Sequence, residues 1–186
     1  MKFPISHLLL ILWLAGAAGC GTNVGNALVQ VELTDAPADY EEVHVTLGAI
    51  EALYRNPDGD TRWIVLVEDG GTHDLLKLRD GVTAVLGKTE MPEGDYQELR
   101  MIVQSATVTV GGETHPLTIP SGAETGIKIP YPFLLDDGKT YVMVIDFDAE
   151  ASVKRLGMAD EYLLEPVIGV QSFSEQPSIP KQGGTP

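Results

Sequence analysis

Apolar and polar residues alternate with a period of two along much of this chain. Val29, Val31 and Leu33 share one parity, with Gln30 and Glu32 on the other; Val43, Val45 and Leu47 alternate with His44 and Thr46. Such alternation buries one face of a strand and leaves the other in solvent. The pattern predicts strands over residues 28–34, 43–53, 63–67, 96–103, 107–110, 127–135, 141–147 and 162–170. Breaks rich in Gly, Pro and Asp separate them. Seven to nine short strands joined by turns predict an all-β protein, an antiparallel β-sandwich. Asn56-Pro57-Asp58-Gly59 reads as a type I turn closed by a left-handed Gly, and Gly111-Gly112 joins two further runs. One short helix is expected over residues 80–87, with Asp80 as its cap, Val82, Val85 and Leu86 on one face and Gly87 at its end.

The N-terminus has a different pattern. Lys2 is the only formal charge before Cys20, and residues 8–14 are continuously apolar, followed by small residues up to Cys20. This is the layout of a secretory signal, too short to span a bilayer as a helix. The chain has 186 residues, so one domain is expected. Residues 1–19 are read as a lipoprotein signal peptide and residues 20–26 as a small, polar tether. Residues 27–173 form the folded domain, and residues 174–186, rich in Pro and Gly, a disordered tail. Cys20 is the single cysteine, which excludes an internal disulfide and a multi-thiolate zinc site. A net charge of −15 argues against nucleic acid and against adsorption to anionic lipid headgroups.

Candidate chemistry is sparse. No Gly-x-Ser-x-Gly is present, and His44, His73 and His115 are scattered, so no enzyme is expected. Asn56, Asp58 and Asp60 imitate the start of a calcium loop, but Gly59 falls too early and Val67 stands where the bidentate acid belongs. Asp146 and Asp148 lie two apart in a strand and therefore on one face, with Cα atoms about 6.8 Å apart. They are strand-end acids bonded to loop amides, a pair of glycosidase-type carboxylates, or part of a calcium site, which Asp35 and backbone carbonyls near Ala149 would have to complete. Lys128 is read as a snorkelling or salt-bridged lysine; it is also a possible counter-charge for the acids, or one half of an isopeptide cross-link. Trp63 and Tyr131 are either core residues or platforms for stacking on a sugar ring.

Two resemblances add to this reading. Ala17-Ala18-Gly19-Cys20 resembles a bacterial lipobox, although Ala17 stands where Leu is commonest; the resemblance implies acylation of Cys20. The second is carried by Leu33-Thr34-Asp35-Ala36-Pro37, by Met91-Pro92-Glu93-Gly94-Asp95-Tyr96, by Ile119-Pro120 with Gly126-Ile127-Lys128-Ile129, by Ile145-Asp146-Phe147-Asp148-Ala149, and by the closing Tyr162-Leu163-Leu164-Glu165-Pro166. In this order and spacing they resemble the bacterial and archaeal domain of unknown function 4382. The resemblance implies a lipoprotein, and it brings no catalytic residues. The Pro-x-Gly-x-Tyr turn is similar to turns of transthyretin-like and carbohydrate-binding-like sandwiches, so the sandwich is expected to be immunoglobulin/transthyretin-like.

The expected role is that of a lipid-anchored, extracytoplasmic, non-enzymatic binding module for carbohydrate or an envelope protein. The alternatives are a structural surface lipoprotein without a small-molecule ligand and a calcium-stabilised adhesion-type domain. No cofactor is expected, calcium being the one possible exception. The expected location is the cell envelope, at the outer membrane in a Gram-negative cell because Gly21, not Asp, follows Cys20.

Overall fold

The structure is a computed structural model describing residues 24–120, 126–157 and 160–177. The chain runs through β1 (Asn26–Thr34), β2 (Glu42–Arg55), β3 (Thr61–Val67), β4 (Gly71–Asp74), a 3-10 turn (Leu75–Lys77), β5 (Ala84–Pro92), β6 (Gly94–Val110), β7 (Glu113–Thr118), β8 (Ile127–Leu135), β9 (Thr140–Asp148), α1 (Ala149–Ser152), β10 (Val153–Leu156), β11 (Glu161–Leu164) and β12 (Val167–Gln176).

Two sheets face one another. The smaller has four strands in the order β12-β9-β1-β5; the larger has eight, built on β10-β11-β7-β6-β2-β3, with β4 added to β2 and β8 to β6. The all-β sandwich is as expected, although the described residues form twelve strands. Both sheets are mixed, because β1 pairs with β9 in parallel and β7 with β11 in parallel. Local periodicity says which face of a strand is buried but carries no sign of its partner's direction.

The core follows the predicted parity. Val29, Val31 and Leu33 of β1 and Met143, Ile145 and Phe147 of β9 face inward and are fully buried. They meet Val43, Val45, Leu47 and Ile50 of β2 and Leu99 and Met101 of β6 in one cluster. Each such side chain contributes about 1.5–3 kcal/mol by leaving water. At one end, an aromatic row crosses between the sheets. Tyr96 stacks on Phe133 at 4.8 Å, Phe133 lies 5.1 Å from Phe173, and Phe173 stacks on Tyr141 at 5.0 Å.

Residues 96–103 and 107–110 belong to one strand, β6, in which the polar pair Gln104-Ser105 sits at a bulge opposite Thr46 and Leu47. The extra residue flips the parity, so Val103 and Ala106 both point inward. The helix expected over residues 80–87 does not form. Asp80 and Gly81 both have positive φ (58° and 85°), which no helix N-cap adopts. The chain instead enters β5, which pairs antiparallel with β1 and leaves Val85 exposed. Among the described residues the one α-helix is α1, capped by Asp148.

Residues 162–170 divide at Glu165-Pro166, sending β11 to the large sheet and β12 to the small one. Ser152 fixes this crossing: its carbonyl accepts from Glu165 N–H and its hydroxyl oxygen from Val167 N–H, both at 2.8 Å. β12 continues to Gln176, so Ser174, Glu175 and Gln176 belong to the sheet and not to a disordered tail. Residues 1–23, on which the signal-peptide reading and Cys20 fall, and residues 178–186 lie outside the described residues.

Candidate functional site

The two ends of the sandwich differ in chemistry, and β1 connects them. Its nine residues span about 30 Å, from Asn26 to Thr34. At the far end, parallel pairing sets Thr34 opposite Asp146. Asp146 and Asp148 share the outward face of β9, with Phe147 buried between them, as strand alternation requires. Asp35 follows Thr34 directly and is only 5% exposed.

The backbone amides here are satisfied by these acids. Asp35 Oδ1 accepts from Ala149 N–H and Asp148 Oδ1 accepts from Ala151 N–H, each at 2.8 Å. Of the strand-end pair, Asp148 is thus bonded to a loop amide, whereas Asp146 accepts no such bond among the described residues. Asp35 N–H in turn donates to Leu78 O at 3.0 Å, and Thr34 Oγ1 donates to the same carbonyl at 2.9 Å. One atom is left over: Asp35 Oδ2 is buried and, among the described residues, has no hydrogen-bond partner.

Burial pushes the Asp35 carboxyl up to about 6; the Ala149 N–H opposes this, and the charges of Asp146 and Asp148 add to it. Burial, and then Asp148, raise Asp146 as well. Asp35 and Asp146 line one cavity of about 400 Å³ together with Asp80, Thr83 and Gln171. Among the described residues, no ion pair includes Asp35, Asp146 or Asp148. No group of three or more His, Cys, Asp or Glu among them is arranged to hold a metal ion. Lys128 lies elsewhere, on the large sheet, with its Nζ 3.0 Å from Glu98.

The Asn26 end, the one nearest the proposed tether, carries an open cleft of about 860 Å³ between the β2–β3 turn and the β5–β6 turn. Arg55, Arg62, Asp58, Asp60, Glu93 and Asp95 line it. Both turns are locked from within. Asn56 Oδ1 accepts from Asp60 N–H at 2.8 Å, and Gly59 closes the turn with φ 92°. Asn56 is therefore engaged in its own turn, as the turn reading of this segment expected. Gly94 has φ 129°, and a Cβ there would stand 3.0 Å from the Tyr54 ring. Tyr96 then donates its hydroxyl to Pro92 O at 2.8 Å. The Pro-Glu-Gly-Asp-Tyr run thus makes a turn and a buried aromatic anchor. Sequence reasoning recognised both turns but missed the cleft, since their adjacency depends on the pairing of β2 with β6.

The remaining candidates stand apart. Trp63 lies on the outer face of the large sheet, with the Arg100 guanidinium 4.2 Å from its ring centroid and Arg100 also paired to Glu51. Tyr131 lies at the edge of the core, 6.3 Å from Phe133 and 6.5 Å from Phe173. They belong to opposite faces of that sheet and form no common platform. His44 stands beside Glu42, His73 contacts Gly70 O, and the His115 ring rests on Tyr162.

Among solved structures, the chain resembles a "putative cell adhesion protein" from Bacteroides eggerthii at 12% identity and a TM-score of 0.30. The match covers 78% of this chain and 57% of that one, so the chain spans little more than half its length. No curated protein matches significantly. Residues 26–166, from the start of β1 to the β11–β12 crossing, match the family described as "Domain of unknown function (DUF4382)", and the chain belongs to that family.

Proposed function

We propose that this protein is a lipid-anchored, extracytoplasmic, non-enzymatic binding module. The observation that carries the reading is the position of β1, which starts at Asn26, six residues after Cys20. An acyl anchor on Cys20 would hold the Asn26 end of the sandwich near the membrane. The loops around Asp35, Asp80 and Asp148 would then stand about 30 Å further out, facing a partner in the envelope. Glu93 N–H donates to Gly25 O at 2.8 Å and Asn26 N–H to Asp137 at 2.9 Å, so the tether meets a fixed point of the domain.

The structural-surface alternative gains from one detail. Arg100 covers one face of Trp63, and Tyr131 packs beside the aromatic row, which favours a role in packing over sugar stacking. The experiment is fractionation of a bacterial host expressing the full chain, with labelled fatty acid. Wild type should carry label and sediment with membrane, whereas Cys20→Ser should do neither. Equal membrane partition of the two would overturn the anchored reading. Pull-down by the wild type of a defined envelope polysaccharide, or of a single stoichiometric envelope protein, would support the binding half; recovery of neither would favour the structural role.

A further inference from the structure

We propose that Asp35 and Asp146 form the anionic half of a binding site for a hard divalent cation, calcium in preference to magnesium, at the end of the sandwich remote from the tether. Clustered acids alone would not carry this, since strand ends often gather them. The decisive atom is Asp35 Oδ2, which is buried and unpartnered in a residue only 5% exposed. A buried carboxylate oxygen without a partner is costly, and native structures seldom leave one without a compensating group.

The surroundings fix that oxygen in place. Ala149 N–H holds Oδ1 at 2.8 Å, and Leu78 O holds the Asp35 backbone at 3.0 Å. The carboxylate is therefore oriented before any ion arrives, which reduces the ordering cost of binding. Asp146 lies across the parallel β1–β9 pair and lines the same cavity of about 400 Å³, and among the described residues its side chain makes no hydrogen bond or ion pair. The cavity also exposes oxygen-bearing side chains from Asp80, Thr83 and Gln171. The Asp35 and Asp146 carboxylates, with the neutral oxygens of Thr83 and Gln171, water and a third acid, Asp80, in the same cavity, suit calcium, which accepts six to eight oxygens in irregular geometry. Magnesium requires a tighter octahedron and is the poorer fit. With only two carboxylates committed, affinity in the range of extracellular calcium modules is expected, a Kd of roughly 10⁻⁴ to 10⁻³ M. The inference does not depend on acylation of Cys20.

The test uses the mature chain from residue 20 at pH 7.5 and constant ionic strength, measured by calorimetry and thermal melting. At calcium tenfold above Kd, Tm should rise by roughly 3–6 °C over the chelated protein. Asp35→Asn and Asp146→Asn should each weaken calcium at least about tenfold, as expected when one of two charged ligands is lost. Asp146 is the more exposed, so its variant decides the matter if Asp35→Asn does not fold. Identical wild-type melting with calcium and with chelator would overturn the site. So would calcium binding undiminished in Asp146→Asn. An equal response to magnesium would overturn the choice of ion.

Discussion

The two ends of the sandwich hold similar numbers of acidic residues and differ in what those acids do. At the tether end, Asp58, Asp60, Glu93 and Asp95 line an open cleft beside Arg55 and Arg62, and the turns that carry them are closed by Asn56, Gly59 and Gly94. At the far end, the acids themselves close the structure, with Asp35 binding Ala149 N–H and Asp148 capping α1. Solvated charges beside opposite charges cost and contribute little. A carboxylate drawn into the fold to satisfy an amide brings a second oxygen with it, and at Asp35 that oxygen has no partner. Burial without a partner, not the count of charges, sets the far end apart.

Four changes would break or sharpen this contrast. Phe147→Ala has the largest expected effect. Phe147 is fully buried between Asp146 and Asp148, and its loss should cost about 3–5 kcal/mol in chemical denaturation. A small cost would mean that β9 does not anchor the acids as described.

The second change is pH. The folded-state value for Asp35 lies near 6, above the ordinary 3.8, so the native state binds this proton more tightly than the unfolded chain. Its contribution is full below about pH 4 and is lost as pH rises through 6. In chelator, wild type should lose on the order of 2–3 kcal/mol relative to Asp35→Asn between pH 4 and pH 7.5. Parallel pH profiles for the two proteins would contradict the buried placement of Asp35.

Third, Gly94→Ala at the tether end should cost about 1–3 kcal/mol, because φ 129° and the Tyr54 ring both resist a Cβ. It should leave any calcium response intact. Fourth, Asp58→Asn combined with Asp60→Asn should change stability by less than about 0.5 kcal/mol and leave the calcium response of wild type unaltered. If this double variant removed that response, the ion would belong to the cleft.

Much of the architecture was legible because period-two burial is a local signal. Val29, Val31 and Leu33 declare their face without reference to any partner, and so do Asp146, Phe147 and Asp148. The failures lie where local and tertiary signals part. Residues 82–86 have a helical spacing of apolar positions, yet pairing with β1 and the left-handed pair Asp80-Gly81 make β5 a strand. Gln104-Ser105 looks like a break and is a bulge, which alternation alone cannot distinguish. At the candidate site, the shared face of Asp146 and Asp148 could be read, and Asp35 was named with them. The unpaired Oδ2 could not be read, because it depends on a hydrogen bond from Ala149, 114 positions away.

The most direct test of the contrast is a crystal structure of the domain grown with millimolar calcium and compared with one grown in chelator, the ion being located by anomalous scattering. The account predicts a peak in the cavity between β1 and β9, within about 2.3–2.6 Å of Asp35 Oδ2, with Asp146 turned toward it and no peak in the tether-end cleft. A peak among Asp58, Asp60 and Asp95, or a far end that holds water in place of calcium, would contradict it.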